Sequence, residues 1–331
     1  ILVFYFIITF LSMFVITAAV TYVTVGLLMN LLQISTNIKN IVFLVLALCA
    51  IILLFGKFNL LDSLVKVISI VLVLSTLLAF VFALSSTQLN NIHFIYSIEI
   101  FDKKGIIFLI ALMGWMPTAV DMSVWNSIWT IERIKQTKYH PTLKETIFDF
   151  NVGYFLTVVM AICFLFLGYL LFYKSGEIIP DSSSMFANKL ISIYTNTLGN
   201  WSYWVISVAA FSVMFSTTLA VIDGYTRSMK FTCKLLFDIN QFKYFNIFCL
   251  VLIIVVSYLI VWKFLSNFKM LIDIATIISF LIAPFCALLN HILVHSNSIA
   301  DEKKPPKWLT KLSIFGILFL IFFSVIFVIY V

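Results

Sequence analysis

Long uncharged stretches of apolar residues are the feature that most constrains this sequence. A segment needs about 20 such residues to cross a bilayer as a helix, and it must be helical because lipid offers no partner to unpaired backbone groups. Hydrophobic residues make up 63% of the 331 positions and charged residues only 11%, too few to cover a soluble domain. The sequence therefore predicts an all-α, multi-pass protein of the cell membrane. Nine runs qualify, at residues 1–32, 41–55, 63–84, 105–129, 147–173, 201–222, 244–262, 270–292 and 309–331.

Basic residues lie in the short connections between these runs and predict the orientation of the chain. Of the 21 lysines and arginines, 14 fall in one set of alternate connections and seven in the other. Because cytoplasmic loops carry the excess of lysine and arginine, residue 1 is predicted to lie inside and residue 331 outside. This topology accounts for the net charge of +7, so nucleic acid is not expected as a partner. We expect a monomer in the lipid bilayer.

One connection carries a helix signal of its own. Residues 181–184 read Asp-Ser-Ser-Ser, and Met185, Leu190, Ile191 and Tyr194 follow. Serine and aspartate are preferred at the N-cap of a helix, and the spacing of the apolar residues is amphipathic. We therefore predict a short helix that lies on the outer face of the membrane.

The fourth run, 105–129, differs from the others because it carries helix-breaking and acidic residues near its midpoint. Gly114 and Pro117 interrupt it, since proline removes an intrahelical hydrogen bond and clashes with the preceding turn. We therefore expect a few residues of non-helical backbone around Met113–Pro117. Such a break survives in a membrane where the freed carbonyl groups line a cavity, and interrupted helices hold the substrate in many secondary transporters. Asp121 follows four residues later, and an acid within a span is a functional-site hypothesis by default.

The end of the first half of this run supplies two kinds of cation ligand. Its carbonyl groups, that of Met113 among them, carry the negative end of the helix dipole. Met116 adds a thioether, and sulfur favours softer ions such as Mn²⁺, Fe²⁺ and Cd²⁺ over Mg²⁺ or Ca²⁺. The pattern predicts a secondary transporter whose substrate is a divalent metal cation and which uses no cofactor.

Two stretches resemble the Nramp (natural-resistance-associated macrophage protein) family of divalent metal transporters. Met116-Pro117 within GWMPTAVDMSVWNSIW is similar to the Met-Pro motif in the sixth helix of that family. The stretch FSTTLAVIDG, 215–224, is similar to the Ser-Thr-rich end of its eighth helix. The resemblance implies a LeuT-like fold that imports the metal by alternating access.

The resemblance also assigns parts of the chain. It implies two inverted repeats, with 1–84 as the remainder of the first and 105–292 as the second, and an extra helix at 309–331. Two family helices would precede Ile1, so we expect a longer chain with an Asp and an Asn in the first of them. The family's metal ligands carry over to Met116 and to the backbone carbonyl of Met113. The candidate residues of the substrate pathway are Thr118, Asp121, Asp223 and Thr276.

This sequence departs from the family pattern at two places. Thr118 stands where a histidine usually follows the Met-Pro pair. The stretch 13–20 holds no acid, although the family usually places acids used in proton movement in the matching helix. Proton coupling of the usual kind is therefore not implied, and Asp121 and Asp223 are candidates for the missing charges.

Simpler interpretations stay open for several of these residues. A methionine such as Met116 often fills a gap in packing, and Asp121 could instead be bonded to a neighbouring helix. Asp223 precedes Arg227 by four residues, which is the spacing of a local ion pair. Residues read most simply as interface or packing positions are Trp125, Trp129, Asp149 and Asp273. His291 and His295 have the spacing of a metal-binding pair, but no third ligand is evident, so an interfacial pair is the simpler interpretation. Pro284 is left open between a kink in a cavity-lining helix and ordinary packing.

Other functions also compete with metal import. A different LeuT-like carrier, for an amino acid or a Na⁺-coupled solute, is the nearest alternative. An integral membrane enzyme would need convergent polar chemistry at one depth. The four histidines lie in loops or near the ends of spans, so the sequence does not predict an enzyme.

Overall fold

The computed structural model of this protein is all-helical across the residues that it describes, which are 2–34, 36–55, 58–86, 102–115, 118–169, 182–237 and 244–330. The description of side chains leaves out 58–66, 68, 86, 104, 121, 197 and 330. The helices are α1 (Leu2–Leu32), α2 (Ile38–Phe55), α3 (Phe58–Ser86), α4 (Lys103–Trp115), α5 (Ser123–Thr137), α6 (Leu143–Gly168), α7 (Ser183–Leu198), α8 (Ser202–Phe237), α9 (Phe245–Lys263), α10 (Phe268–Val294) and α11 (Lys307–Tyr330), with 3₁₀ turns at Val120–Met122 and Asp301–Lys303.

Seven of the described helices are long and apolar enough to cross a membrane: α1, α2, α6, α8, α9, α10 and α11. The protein is therefore a multi-pass membrane protein, as the composition predicted. Two further predicted spans coincide with shorter apolar stretches, Ser69–Ser85 in α3 and Gly105–Trp115 in α4. The total of nine spans stays a prediction.

Helix α7 confirms the helix signal in the connection before α8. Ser182 is its N-cap, and its side chain accepts a hydrogen bond from the backbone N–H of Met185 at 3.4 Å. The start of α7 packs on α1 at Gly26, where a Cβ would collide with the backbone carbonyl of Ser183. Glycine at this position lets the two backbones approach each other directly.

The core of the protein is the crossing of α1 and α8. Tyr203 near the start of α8 donates a hydrogen bond to the carbonyl of Asn30 at 2.9 Å, and Tyr5 contacts Ser228 at 3.4 Å. The high-numbered end of α1 therefore meets the low-numbered end of α8, so the two helices are antiparallel. Both helices bury many small hydroxyl side chains, which let membrane helices pack closely. They are Thr9, Ser12, Thr17, Thr21 and Thr24 in α1 and Ser202, Ser207, Thr218, Thr226, Ser228 and Thr232 in α8.

Further contacts fix the direction of the neighbouring helices. Ser257 donates to the carbonyl of Phe14 at 3.1 Å and Tyr22 donates to the carbonyl of Leu265, so α9 is parallel to α1. Helix α2 is antiparallel to α9, because Lys39 lies over Trp262 while Phe43 contacts Tyr258. Helix α11 is antiparallel to α10, since His291 contacts Ser313 and His295 contacts Thr310, both at 3.0 Å. These directions agree with consecutive spans that alternate.

Candidate functional site

The predicted break in the fourth apolar run is present in the structure. Helix α4 ends at Trp115, the 3₁₀ turn occupies Val120–Met122, and α5 begins at Ser123. We call residues 116–122 the interruption. Ala119 within it has extended backbone angles, with φ −66° and ψ 133°. A helix end leaves its last four carbonyl groups without intrahelical partners, so α4 presents such groups at the interruption.

The break begins later than the sequence indicated. We expected non-helical backbone around Met113–Pro117, but Met113, Gly114 and Trp115 are still helical. The reason lies in how proline acts. Pro117 has no N–H to donate to the carbonyl four residues earlier, which belongs to Met113. The carbonyl of Met113 therefore loses its helical partner while Met113 itself keeps helical backbone angles.

Several of the predicted site residues can be located only in part. Met116 and Pro117 lie outside the described residues. Asp121 is in the 3₁₀ turn, and its side chain is also outside the description. Thr118 is exposed, and its hydroxyl is 3.9 Å from the sulfur of Met122. The side chain of Met113 packs beside a cluster formed by Ile106, Ile110 and Phe280, so only its carbonyl can face the interruption.

Helix α10 supports both sides of the interruption. A Cβ at Gly114 would collide with the backbone carbonyl of Thr276, so α4 and α10 touch through their main chains. The indole N–H of Trp115 donates to the Ser279 hydroxyl at 2.9 Å. Beyond the interruption, the amide of Asn290 donates to the Ser123 hydroxyl at 2.8 Å. Thr276 therefore lies beside the end of α4, and its assignment to the pathway stays a prediction.

The hydroxyl of Thr276 is engaged within its own helix. It donates to the carbonyls of Ile272 and Asp273, at 2.9 and 3.0 Å. Its backbone carbonyl, rather than its hydroxyl, is the group in contact with α4. A threonine bonded in this way bends or locally loosens a helix.

Asp223 lies at the contact between α5 and α8 rather than at the end of α4. The Nε of Arg227 is 2.8 Å from both carboxylate oxygens of Asp223, so the local ion pair left open by the sequence is present. The indole N–H of Trp129 donates to Oδ2 of the same carboxylate at 3.1 Å. Hydrogen bonds to an ionised acceptor are stronger than neutral ones. The carboxylate thus joins the second half of the interrupted helix to α8.

Trp125 and Glu132 extend this contact on either side of Trp129. The ring of Trp125 packs on the backbone of Gly224, where a Cβ would collide with the indole. It also meets Tyr225 edge to face, with ring centroids 4.7 Å apart. Nη1 of Arg227 is 3.7 Å from a carboxylate oxygen of Glu132.

Sequence reasoning missed that the two tryptophans hold the second half-helix to α8. It treated both as packing or interface residues, although a signal was available. Trp125 and Trp129 have the same four-residue spacing as Asp223 and Arg227, which places each pair on one helix face. The two stretches that carried the family resemblance are therefore in contact with each other.

The connection after α5 is tied to α6 by a hydrogen-bonded turn. Thr142 and Glu145 form a capping box at the start of α6, and Tyr139 donates to Glu145 at 2.9 Å. The hydrogen bond to the Glu145 carboxylate raises the pKa of Tyr139 above its ordinary value.

An open cavity of about 690 Å³ lies between the end of α1, helix α7 and the start of α8. Its lining is uncharged and includes Asn30, Gln33, Asn188, Asn200 and Tyr203. The cavity lies at the start of α8, far along the helix from Asp223. Within the described part of the chain, no group of three or more histidine, cysteine or acidic side chains is placed to hold a metal ion.

The chain is similar in sequence to an uncharacterized protein. No family model matches the sequence. It is similar to the uncharacterized protein PM0681 of Pasteurella multocida (strain Pm70), with 31% identity over 316 residues. The match covers 94% of this chain and 71% of that protein.

Proposed function

The chain belongs to the same family as the uncharacterized Pasteurella multocida protein, and from its own residues we propose that it is a secondary transporter. The proposed substrate is a divalent transition-metal cation of the Mn²⁺ or Fe²⁺ type, imported across the cell membrane by alternating access. The observation that carries this proposal is the interruption of a helix inside a multi-pass membrane protein. Non-helical backbone at membrane depth is tolerated only where it is buried in protein or lines a cavity.

The ligands that we propose lie at the end of α4. Pro117 leaves the carbonyl of Met113 without its helical donor, and the C-terminal end of a helix carries partial negative charge. The thioether of Met116 is the second proposed ligand and would favour soft divalent ions. Thr118, Asp121 and Thr276 remain the proposed residues of the substrate pathway.

A LeuT-like fold is proposed on the internal correspondence of the helices. Helices α1, α2 and α3 have 31, 18 and 29 residues, and α8, α9 and α10 have 36, 19 and 27. Exchanging the two sets preserves the packing pattern. Helix α1 contacts α2, α9 and α10, while α8 contacts α9, α2 and α3. Because α1 and α8 run in opposite directions, the correspondence supports inverted repeats in 1–84 and 105–292.

Competitive uptake by the full-length protein in proteoliposomes tests the substrate. We expect uptake of Mn²⁺ and Cd²⁺ in preference to Mg²⁺ and Ca²⁺, and no uptake of amino acids. Amino-acid uptake without metal uptake would favour the other LeuT-like carrier. An absence of any uptake would contradict the transport proposal.

Substitution of Met116 tests the site itself. In Met116→Ala we expect the preference for Cd²⁺ over Mg²⁺ to fall about tenfold, which corresponds to about 1.4 kcal/mol. Asp121→Asn should weaken all divalent ions alike, because charge rather than softness is lost. Met270→Ala is the matched control, since Met270 is exposed on α10. Unchanged selectivity in Met116→Ala at matched protein level would remove the proposed ligand.

A further inference from the structure

The face of α5 that contacts α8 is built from three residues at helical spacing. Trp125, Trp129 and Glu132 are separated by four and three positions, so they lie on one face of the helix. Each meets a different part of one short segment of α8. Trp125 covers Gly224, Trp129 donates to Asp223, and Glu132 lies near Arg227.

Charge neutrality on each helix does not depend on this contact. Asp223 is paired with Arg227 on α8 at 2.8 Å, and Glu132 is paired with Lys135 on α5 at 2.9 Å. If α5 moved away from α8, each acid would keep a basic partner four or three residues along its own helix. Separation would therefore leave no unpaired buried charge, which is the large cost that usually makes a buried ion pair hard to break.

The exposure of these groups also suits a contact that opens and closes. The side chain of Arg227 is 39% exposed and that of Glu132 is 28% exposed, whereas that of Asp223 is 15% exposed. The outer members of the contact are therefore only partly buried, and ion pairs this exposed are weak. The Trp129–Asp223 hydrogen bond is the more protected part of the contact, and it fixes how the indole and the carboxylate are oriented.

The interruption separates α5 from the rest of the broken helix. Helix α4 touches α10 through main-chain atoms at Gly114 and Thr276, an attachment that leaves little room for movement. By contrast, α10 packs on the 3₁₀ turn at Val120–Met122 and meets α5 itself at its first residue, through the Asn290–Ser123 hydrogen bond. The junction between this turn and α5 is the end of an element, and hinges are commonly a few residues at the ends of elements.

We propose that α5 is a movable gate at the end of the pathway opposite the open cavity, and that Asp223 and Arg227 are positioning residues that hold it closed. They act through Trp129 and Glu132, so Asp223 binds the gate rather than the transported ion. This inference rests on the proposed transport function. Opening breaks the Trp129–Asp223 bond and unpacks the buried ring of Trp125 from Gly224 and Tyr225, while both acids stay paired within their helices.

Hydrogen exchange of the full-length protein in lipid nanodiscs, with no transported ion present, tests whether the Trp129–Asp223 hydrogen bond holds α5 against α8. In Trp129→Phe, which keeps the ring and removes the donor, we expect amide exchange in α5 to become about tenfold faster. Exchange in α1 and in the outer half of α8 should stay as in the wild type. Trp308→Phe is the matched control, because Trp308 is exposed on α11. Equal exchange of α5 in Trp129→Phe and in the wild type would overturn the proposal.

Reversible cross-linking tests whether the movement is needed for transport. Cysteines are introduced by Glu132→Cys and Arg227→Cys and joined with a short bis-methanethiosulfonate reagent. The native cysteines are all buried, which limits background reaction. Because both residues take part in the contact under test, the reference is the same double variant before cross-linking rather than the wild type. We expect its Mn²⁺ uptake to be lost on cross-linking and recovered on reduction, whereas uptake unaffected by the cross-link would contradict a moving α5. A wild-type protein that carries no divalent ion would refute the proposed metal transport, while the exchange result would still decide whether α5 opens.

Discussion

The antiparallel pair α1 and α8 differs from the interrupted pair α4 and α5 in how each is held in the protein. Helices α1 and α8 are continuous, and half or more of their most apolar stretches is buried, 56% in α1 and 50% in α8. Their contacts run from one end to the other, from Tyr5 and Ser228 to Asn30 and Tyr203. Helices α4 and α5 are short, and each packs mainly on a different helix. Helix α4 packs on α10 at Gly114 and through the cluster of Ile106, Ile110 and Phe280, whereas α5 packs on α8 through Trp125, Trp129 and Glu132.

This difference distinguishes the scaffold helices α1 and α8 from the interrupted pair α4 and α5, where we propose the site. In a continuous helix, nearly all backbone groups bond within the helix, so close packing of hydroxyl and small side chains is enough to fix it. An interrupted helix has freed carbonyl groups that can hold a cation. Its halves therefore need separate anchors. Helix α4 is anchored to α10 where Gly114 meets Thr276, and α5 is anchored to α8 where Trp125 covers Gly224.

The largest expected effect is on the anchor of α4. A Cβ at Gly114 would collide with the main chain of Thr276, which cannot move aside as a flexible side chain could. We expect Gly114→Ala to lower the free energy of unfolding by about 2–3 kcal/mol, in the range found for overpacked sites. Equilibrium unfolding in SDS measures this, and Gly316→Ala is the control because nothing lies within 4 Å of a Cβ there. Equal stability of the two variants would show that α4 is not clamped to α10.

A smaller effect is expected at the hydrogen bond next to this anchor. Trp115→Phe removes the donor to the Ser279 hydroxyl at 2.9 Å, and one such bond contributes about 1 kcal/mol. Since both partners serve one bond, Ser279→Ala should cost little more in the Trp115→Phe background. Unfolding of the two single variants and the double variant gives the coupling energy. Full additivity would mean that this bond does not hold the end of α4.

The smallest effect is expected between α1 and α8, because many contacts along both helices contribute to their packing. The hydroxyls of Thr24 and Thr218 are 2.8 Å apart. A double-mutant cycle with Thr24→Val and Thr218→Val should give a coupling of about 0.6 kcal/mol, typical of membrane hydrogen bonds. Thr157→Val is the reference, because its exposed hydroxyl bonds only to the carbonyl of Gly153 in its own helix among the contacts described. A coupling as large as the cost of Gly114→Ala would reverse the distinction between the two regions.

The sequence by itself determined what depends on local chemistry. Apolar run length requires membrane helices, Gly114 and Pro117 near the midpoint of the fourth run predict its break, and Ser182 caps α7. The start of the break was misplaced by a few residues. A proline disturbs the hydrogen bond of the residue four positions earlier without changing that residue's own backbone angles.

Only the tertiary structure decided which of these local features meet. The hydrogen bond of Trp129 to Asp223 joins residues 94 positions apart, and Gly114 meets Thr276 on a helix more than 150 residues later. The Asp223–Arg227 spacing fits an ion pair in any exposed helix, so it could not reveal the indole that shares the carboxylate. Such pairings depend on helix crossings, and a helix in lipid shows its partner-facing side only weakly in sequence, because lipid tails and buried side chains are equally apolar.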